Sequence, residues 1–253
     1  MFVYVCESKC QGTCEDDANS INLKLFPQYP EPPHVQDYQV PIAMLDFTSV
    51  MDKYWDITMR RIIPFIDGVH YVKKIADLAD VNIALVRMAV QHLLYYGCVK
   101  LIDIFEFSNI YNVTAEIRHF LTSDSIKTEC VQFVRNIESK KDVSFGDVFS
   151  LYCSMKGGLR VVDWIQDNQE ALQLVDIRKF VAFGVLKGFL YRVHKYPLLS
   201  SASDGIHADP VLGRIAKLLN GRTHMDDLCC RFYLNYIELE SRLSSFGVQF
   251  IVK

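Results

Sequence analysis

The chain has 253 residues, half of them hydrophobic and 12% aromatic, with a formal net charge of -3. That apolar content excludes an intrinsically disordered chain, and no apolar run is long enough to cross a bilayer as a helix. A pI near 6.2 removes the blanket attraction to phosphate backbones and anionic lipid on which a general nucleic-acid or membrane binder relies.

The start, Met1-Phe2-Val3-Tyr4-Val5-Cys6, lacks the basic residues and longer apolar stretch of a secretory signal. Eight cysteines are scattered along the chain, and Cys98, Cys130 and Cys153 sit among apolar neighbours. Buried, reduced thiols in a cytoplasmic compartment fit that placement better than a disulfide framework. Cys6, Cys10 and Cys14 recur at intervals of four, but no second ligand pair follows downstream as zinc sites require. Residues 1–20 therefore read as a frayed, poorly defined end, with no metal or other cofactor expected.

Residues 21–45 hold a short strand and an extended linker. Ile21, Leu23 and Leu25 alternate with polar residues up to Pro27, a strand signal that proline stops. Pro27, Pro30, Pro32, Pro33 and Pro41 are five of the eight prolines, a density that holds the backbone extended and removes hydrogen-bond donors. The interleaved Tyr29, Val35, Tyr38 and Val40 are too apolar for a solvated tether, so the segment is expected to lie along a groove in this chain or in a partner. Pro32, Pro33 and Tyr38 are accordingly candidate partner-binding residues.

Residues 46–114 predict a winged-helix module. Ile57, Arg60, Arg61 and Pro64 belong to a first helix closed by Asp67-Gly68, and a short second helix spans 70–79. Asn82 caps a third helix, where Ile83, Val86, Val90 and Leu93 recur at helical spacing before Gly97. The run 99–107, broken at Ser108-Asn109 and resumed over 110–113, predicts a hairpin wing. A DNA reader needs several polar groups on the third helix, and Arg87, Gln91 and His92 are nearly all it offers. Leu85, Met88 and Tyr95 are left over once the core stripe is buried, which marks them as candidate partner contacts.

Residues 115–200 predict a helical region with a second winged-helix-like module. Its signals are an amphipathic helix on Phe145, Val148, Phe149 and Tyr152, another on Leu159, Val162 and Ile165, a longer one from Ile177 to Gly188, and a strand from Phe189 to Val193. Residues 201–253 predict a third module, with Asp209-Pro210 opening one helix, Thr223 capping the next, a third around 236–243, and a strand through Val248, Phe250 and Val252. The repetition is architectural, with no period at the level of residues. The fold class expected is mainly α with small β hairpins, an α+β chain of tandem winged-helix-like modules.

No phosphate loop, dinucleotide fingerprint, zinc-protease or esterase pattern occurs, so no enzyme activity and no catalytic residue are expected. Cys229-Cys230 near His224 sits in a helix, where neighbouring side chains diverge by about 100°, so one sulfur should face the core. Arg60-Arg61 and Lys73-Lys74 read as solvated basic spots.

From about Asn19 onward the chain resembles the nitrogen permease regulator 2-like family. The resemblance rests on Pro-Glu-Pro-Pro at 30–33 with Asp37-Tyr38 and Val40-Pro41, on Trp55-Asp56 with Ile63-Pro64-Phe65-Ile66-Asp67-Gly68, and on Leu93-Leu94-Tyr95-Tyr96-Gly97. Ser108-Asn109-Ile110-Tyr111, Asp147-Val148-Phe149, Leu151-Tyr152-Cys153, Lys195-Tyr196-Pro197 and Cys229-Cys230 add to it.

The resemblance implies a subunit of GATOR subcomplex 1 that heterodimerises with a nitrogen permease regulator 3-like partner and meets the DEP-domain subunit of that complex. Such a complex restrains TOR complex 1 in amino-acid starvation, with consequences for autophagy, and is recruited from the cytoplasm to the lysosomal or vacuolar membrane. In the family, an amino-terminal longin-like domain, which the resemblance implies is not part of this chain, carries an arginine that promotes GTP hydrolysis on a Rag GTPase. None of Arg60, Arg61 or Arg87 matches that position, so the implied role is a non-catalytic scaffold that meets Rag GTPases indirectly. A GTPase-activating subunit and a DNA-binding winged-helix regulator are the alternative readings.

Overall fold

The computed structural model of the chain describes residues 11–16, 19–24, 29–52, 54–136, 143–199 and 210–253. The chain forms two compact units, one of residues 1–36 with 41–101, the other of residues 37–40 with 102–253. It is mainly α with small antiparallel strand pairs.

The first unit begins with β1 (Gln11–Asp16) paired antiparallel with β2 (Asn19–Lys24), from Gln11 opposite Lys24 to Asp16 opposite Asn19. Residues 11–16 are thus a strand and not the frayed end expected. Cys14 falls in β1, whereas Cys6 and Cys10 lie outside the described residues. Residues 29–36 take no regular element. The backbone N–H of Tyr29 donates to Tyr95 Oη at 3.1 Å, and its ring meets Tyr95 and Tyr96 edge-on with centroids 5.5 and 6.4 Å away. Val35 is buried in the first unit's core. The apolar residues between the prolines thereby find their contacts in this chain.

Asp46 caps α1 (Phe47–Val50) and Asp56 caps α2 (Ile57–Ile62), each carboxylate accepting a backbone N–H two residues on. A 3-10 turn, Ile63–Phe65, extends α2 with Pro64 where a missing donor costs nothing. α3 (Val72–Ala79) and α4 (Ile83–Tyr95) follow, and Asn82 Oδ1 accepts from Ala84 N at 2.8 Å. Val86, Val90 and Leu93 then face Ile62, Val72 and Ile75 in one core. β4 (Val99–Ile102) pairs with β3 (Val40–Ala43).

The hairpin wing expected from 99–107 and 110–113 does not form. Asn109 explains it: its side-chain amide donates to Ile104 O at 2.9 Å and Tyr111 Oη at 3.2 Å, closing residues 104–111 into a local loop. Carbonyls a ladder would need are also taken, Asn109 O by Val161 N and Phe107 O by Val162 N, both at 2.9 Å.

In the second unit, β5 (Ile110–Val113) is followed by α5 (Ile117–Thr122), α6 (Asp124–Val134), α7 (Phe145–Ser154), α8 (Val161–Asp167), α9 (Gln169–Leu172) and α10 (Ile177–Leu186). β6 (Leu190–Val193) returns antiparallel to β5, Ile110 opposite Val193. The core beneath is aromatic: Tyr152 stacks on Phe180 at 3.9 Å and donates its hydroxyl to Phe180 O at 2.7 Å, while Trp164 stacks on Phe180 at 5.6 Å. β7 (Lys195–Leu198) starts the last stretch, followed by α11 (Pro210–Ile215), a 3-10 turn Ala216–Leu218, α12 (Met225–Phe232) and α13 (Tyr236–Ser245), and β8 (Gln249–Val252) pairs antiparallel with β7. Asp209 lies outside the described residues. α12 is capped by His224 and not by Thr223 as expected, because His224 Nδ1 accepts from Asp227 N at 3.4 Å.

The strand pairs show one plan used three times. β3 meets β4, β5 meets β6, and β7 meets β8, so each group of helices is closed by the strand before it and the strand after it. Each closing strand follows a helix that ends on a glycine with positive φ: Gly97 (67°), Gly188 (75°) and Gly247 (71°). The next residue reaches back five positions: Cys98 N to Leu93 O, Phe189 N to Gly184 O and Val248 N to Leu243 O, at 2.9, 2.7 and 3.2 Å. That is the Schellman closure of a helix, and only glycine adopts its left-handed residue without steric cost.

Candidate functional site

Two places are candidates for function among the described residues. The first is the outer side of α4. Helical spacing puts Leu85 and Met88 one turn apart, opposite the stripe of Val86, Val90 and Leu93, and they are 47% and 65% exposed. Tyr95, expected with them, is half-buried under Tyr29. Of the proline-segment candidates, Pro33 is exposed and Pro32 half-buried. Tyr38 is half-buried, its ring edge-on to His224 with centroids 4.4 Å apart, so the structure engages it within the second unit.

The second place is a polar cluster inside the second unit. Strand alternation in β6 turns Leu190 and Arg192 to the buried side and Tyr191 outward. Arg192 is therefore buried, and its guanidinium needs partners. Nη2 donates to Asp226 Oδ1 at 2.9 Å, Nη1 stands 2.5 Å from Asp226 Oδ2 and also donates to Ile104 O at 2.9 Å. The two side chains are 3% and 4% exposed. Around them lie His194, with Nε2 3.6 Å from Asp103 Oδ2 and Nδ1 3.8 Å from Asp226 Oδ2, and His224, its ring 4.7 Å from that of His194.

Electrostatics in the cluster follow from burial and from that guanidinium. Burial raises the Glu106 carboxyl above its ordinary range. Burial also opposes charge on Asp103, yet His194, Arg192 and His224 outweigh it and hold that carboxyl below its ordinary value. The Tyr111 hydroxyl is pushed up to about 12 by burial. Burial, ahead of every other influence, pulls the His224 imidazole down from 6.5.

Among the described residues, His194, His224 and Asp226 form the one group whose donor atoms converge as a metal site's would. The donors do not fit a cation. Asp226 is held by Arg192, whose positive charge would sit beside the ion, and His224 Nδ1 is engaged at the start of α12. The cluster is a buried ion pair with two histidines at its margin.

The thiols divide as burial dictates. Cys98 and Cys130 are buried as expected, their pKa values pushed by burial to about 11 and about 12. Cys153 is exposed, contrary to expectation, because α7 turns Leu151 and Tyr152 inward and Cys153 outward. Of the helical pair, Cys230 is buried, while Cys229 is half-buried and packs against the core that holds Leu228 and Leu239. Sequence reasoning passed over Arg192, Asp226 and His194. A lone arginine within the apolar run Phe189 to Val193 was the available signal.

Comparison with known proteins gives these features a family. The family model described as nitrogen permease regulator 2 matches residues 7–145 and 135–247. The nitrogen permease regulator 2 homolog of Schizosaccharomyces pombe is 41% identical over 215 residues, 85% of this chain and 53% of its own length. The GATOR complex protein NPRL2 of Drosophila melanogaster is 32% identical over 234 residues, covering 92% of this chain and 54% of that protein. Nitrogen permease regulator 2 of Saccharomyces cerevisiae is 24% identical over 74% of this chain and 45% of its own length. The chain thus spans about half the length of the curated relatives it matches. On the family match and the identity to its fission-yeast and fly relatives, the chain belongs to the nitrogen permease regulator 2 family.

Proposed function

We propose that this chain is a non-catalytic subunit that holds partner proteins in a GATOR-type complex and so restrains TOR complex 1 in amino-acid starvation. Its direct partner is a nitrogen permease regulator 3-like protein, with the DEP-domain subunit in the same assembly and Rag GTPases met indirectly. It works from the cytoplasm at the lysosomal or vacuolar surface, reached through that complex. The observation that carries the reading is the exposed Leu85 and Met88 pair on α4. Burying a side chain of that size contributes about 1.5–3 kcal/mol, so a face that keeps two in water is suited to a partner. Membership of the family and the name of the fly relative, a GATOR complex protein, support assembly into a complex.

A DNA-binding role is less well supported, because the same helix offers Arg87, Gln91 and His92 within a chain of net charge -3. A GTPase-activating role would need a positioned arginine at the phosphoryl group, and the resemblance places that arginine in none of Arg60, Arg61 or Arg87. Co-expression with a nitrogen permease regulator 3-like protein, followed by size exclusion, tests the proposal. A one-to-one complex is expected, weakened roughly tenfold or more by Leu85→Asp with Met88→Asp, as loss of two central apolar contacts predicts. A folded chain that stays monomeric beside that partner overturns the pairing. A double variant that binds as tightly as the parent overturns the α4 face.

A further inference from the structure

We propose that His224 is the pivot of an acid-sensitive latch, holding residues 37–40 and the start of α12 in place near neutral pH and loosening both on acidification. His224 is the residue before α12, and its Nδ1 accepts the Asp227 N–H at 3.4 Å. An imidazole nitrogen accepts a hydrogen bond only while it carries no proton. Once protonated, Nδ1 points a hydrogen at another hydrogen, and the cap is lost. The new positive charge also stands at the end of a helix that favours negative charge.

The surroundings offset that charge only in part, through the Asp103 carboxylate that His194 also shares. The groups facing His224 are Tyr38 of the 37–40 segment, Asp103 from the stretch after β4, Arg192 of β6, His194 at the β6–β7 junction, Tyr196 of β7, and Asp226 and Asp227 of α12. Asp226 is already neutralised by Arg192, and Asp227 Oδ1 is bonded to Arg231 Nε at 2.7 Å. Arg192 and the second imidazole, 4.7 Å away, oppose another positive charge. Tyr38 stands at right angles to His224 at 4.4 Å, so that ring forms one wall of its seat.

The sign follows from burial, which leads the influences holding His224 below its ordinary 6.5. Below that value the unfolded or opened chain takes up a proton more readily than the closed one. Stability that is fully present above 6.5 is therefore lost as pH falls toward the depressed value.

Hydrogen exchange on the full chain, corrected for the intrinsic rate, reads the latch directly. Between about pH 7.5 and about pH 5.5, protection of residues 37–39 and of the first turn of α12 is expected to fall roughly fivefold, the effect of losing one helix cap. His224→Asn keeps a capping acceptor that does not titrate and should abolish the fall, while His194→Gln should retain it. An undiminished fall in His224→Asn, or none in the parent chain, overturns the proposal. Titration of the His224 imidazole by NMR in the parent chain gives a reading that no variant can confound, and a midpoint at or above 6.5 overturns it as well.

Discussion

Arg192 and Asp226 are the residues where chemistry and fold meet. A guanidinium 3% exposed carries a desolvation cost that close partners offset, and the carboxylate and the Ile104 carbonyl do so in part, leaving Arg192 Nε and Asp226 Oδ2 without a hydrogen bond among the described residues. Removing one partner leaves the other charged and buried, so Asp226→Asn is expected to cost about 3–5 kcal/mol, measured by urea denaturation. Replacing both by apolar residues, Arg192→Met with Asp226→Leu, should cost distinctly less than that single change, because neither charge is then stranded. If the double replacement cost as much as Asp226→Asn, the pair would be contributing net attraction beyond its own desolvation. Little of this was legible beforehand. The run from Phe189 to Val193 announces a strand and the residues near Cys229-Cys230 announce a helix, but nothing local says that position 192 meets position 226. The acceptor role of His224 was hidden for a like reason, since Thr223 beside it is the commoner capping residue.

The elements owe their limits to a few backbone positions. Asp80 after α3 and Tyr233 after α12 are the two non-glycine residues with positive φ among the described residues, at 51° and 55°. In each, the next residue bonds back five positions, Val81 to Ala76 and Leu234 to Cys229, and an asparagine, Asn82 or Asn235, then caps the following helix. The first and last groups of helices therefore share a turn at the level of residues, which the eye misses because Asp-Val-Asn and Tyr-Leu-Asn differ in two letters. Asp80→Val should lose about 1–2 kcal/mol, since a β-branched side chain resists the left-handed region, whereas Asp80→Gly should be neutral or stabilising. Gly188→Ala should lose a similar amount for the same reason, and thermal unfolding checks all three. Helices with a cap at one end and glycine at the other, such as α4 and α10, were readable from sequence. α5 and α6 were not, because their buried residues, Phe120, Cys130 and Val134, are too sparse to set a period. The strand partners were misread because a wing hairpin is the nearest pairing, and Asn109 closes that option with its own side chain.

At the scale of the whole chain, the two units have hydrophobic cores that share no residue, and each holds one of the two tryptophans. Trp55 packs at the edge of the first core and Trp164 is buried in the second. The family match runs across both units, so the exposed Leu85 and Met88 of α4 and the Arg192 cluster belong to one family's sequence yet rest on separate cores. That separation has a measurable consequence. In a Trp55→Phe background, fluorescence reports Trp164 and hence the second unit alone. Leu93→Ala removes a side chain from the first core and should cost that unit about 2–5 kcal/mol, while leaving the Trp164 urea midpoint where it was. Asp226→Asn, 34 residues from Arg192 in sequence but bonded to it in the second unit, should lower the same midpoint clearly. If Leu93→Ala also moved the Trp164 transition, the units would unfold as one cooperative body, and damage at the α4 face would then reach the His224 latch through stability alone.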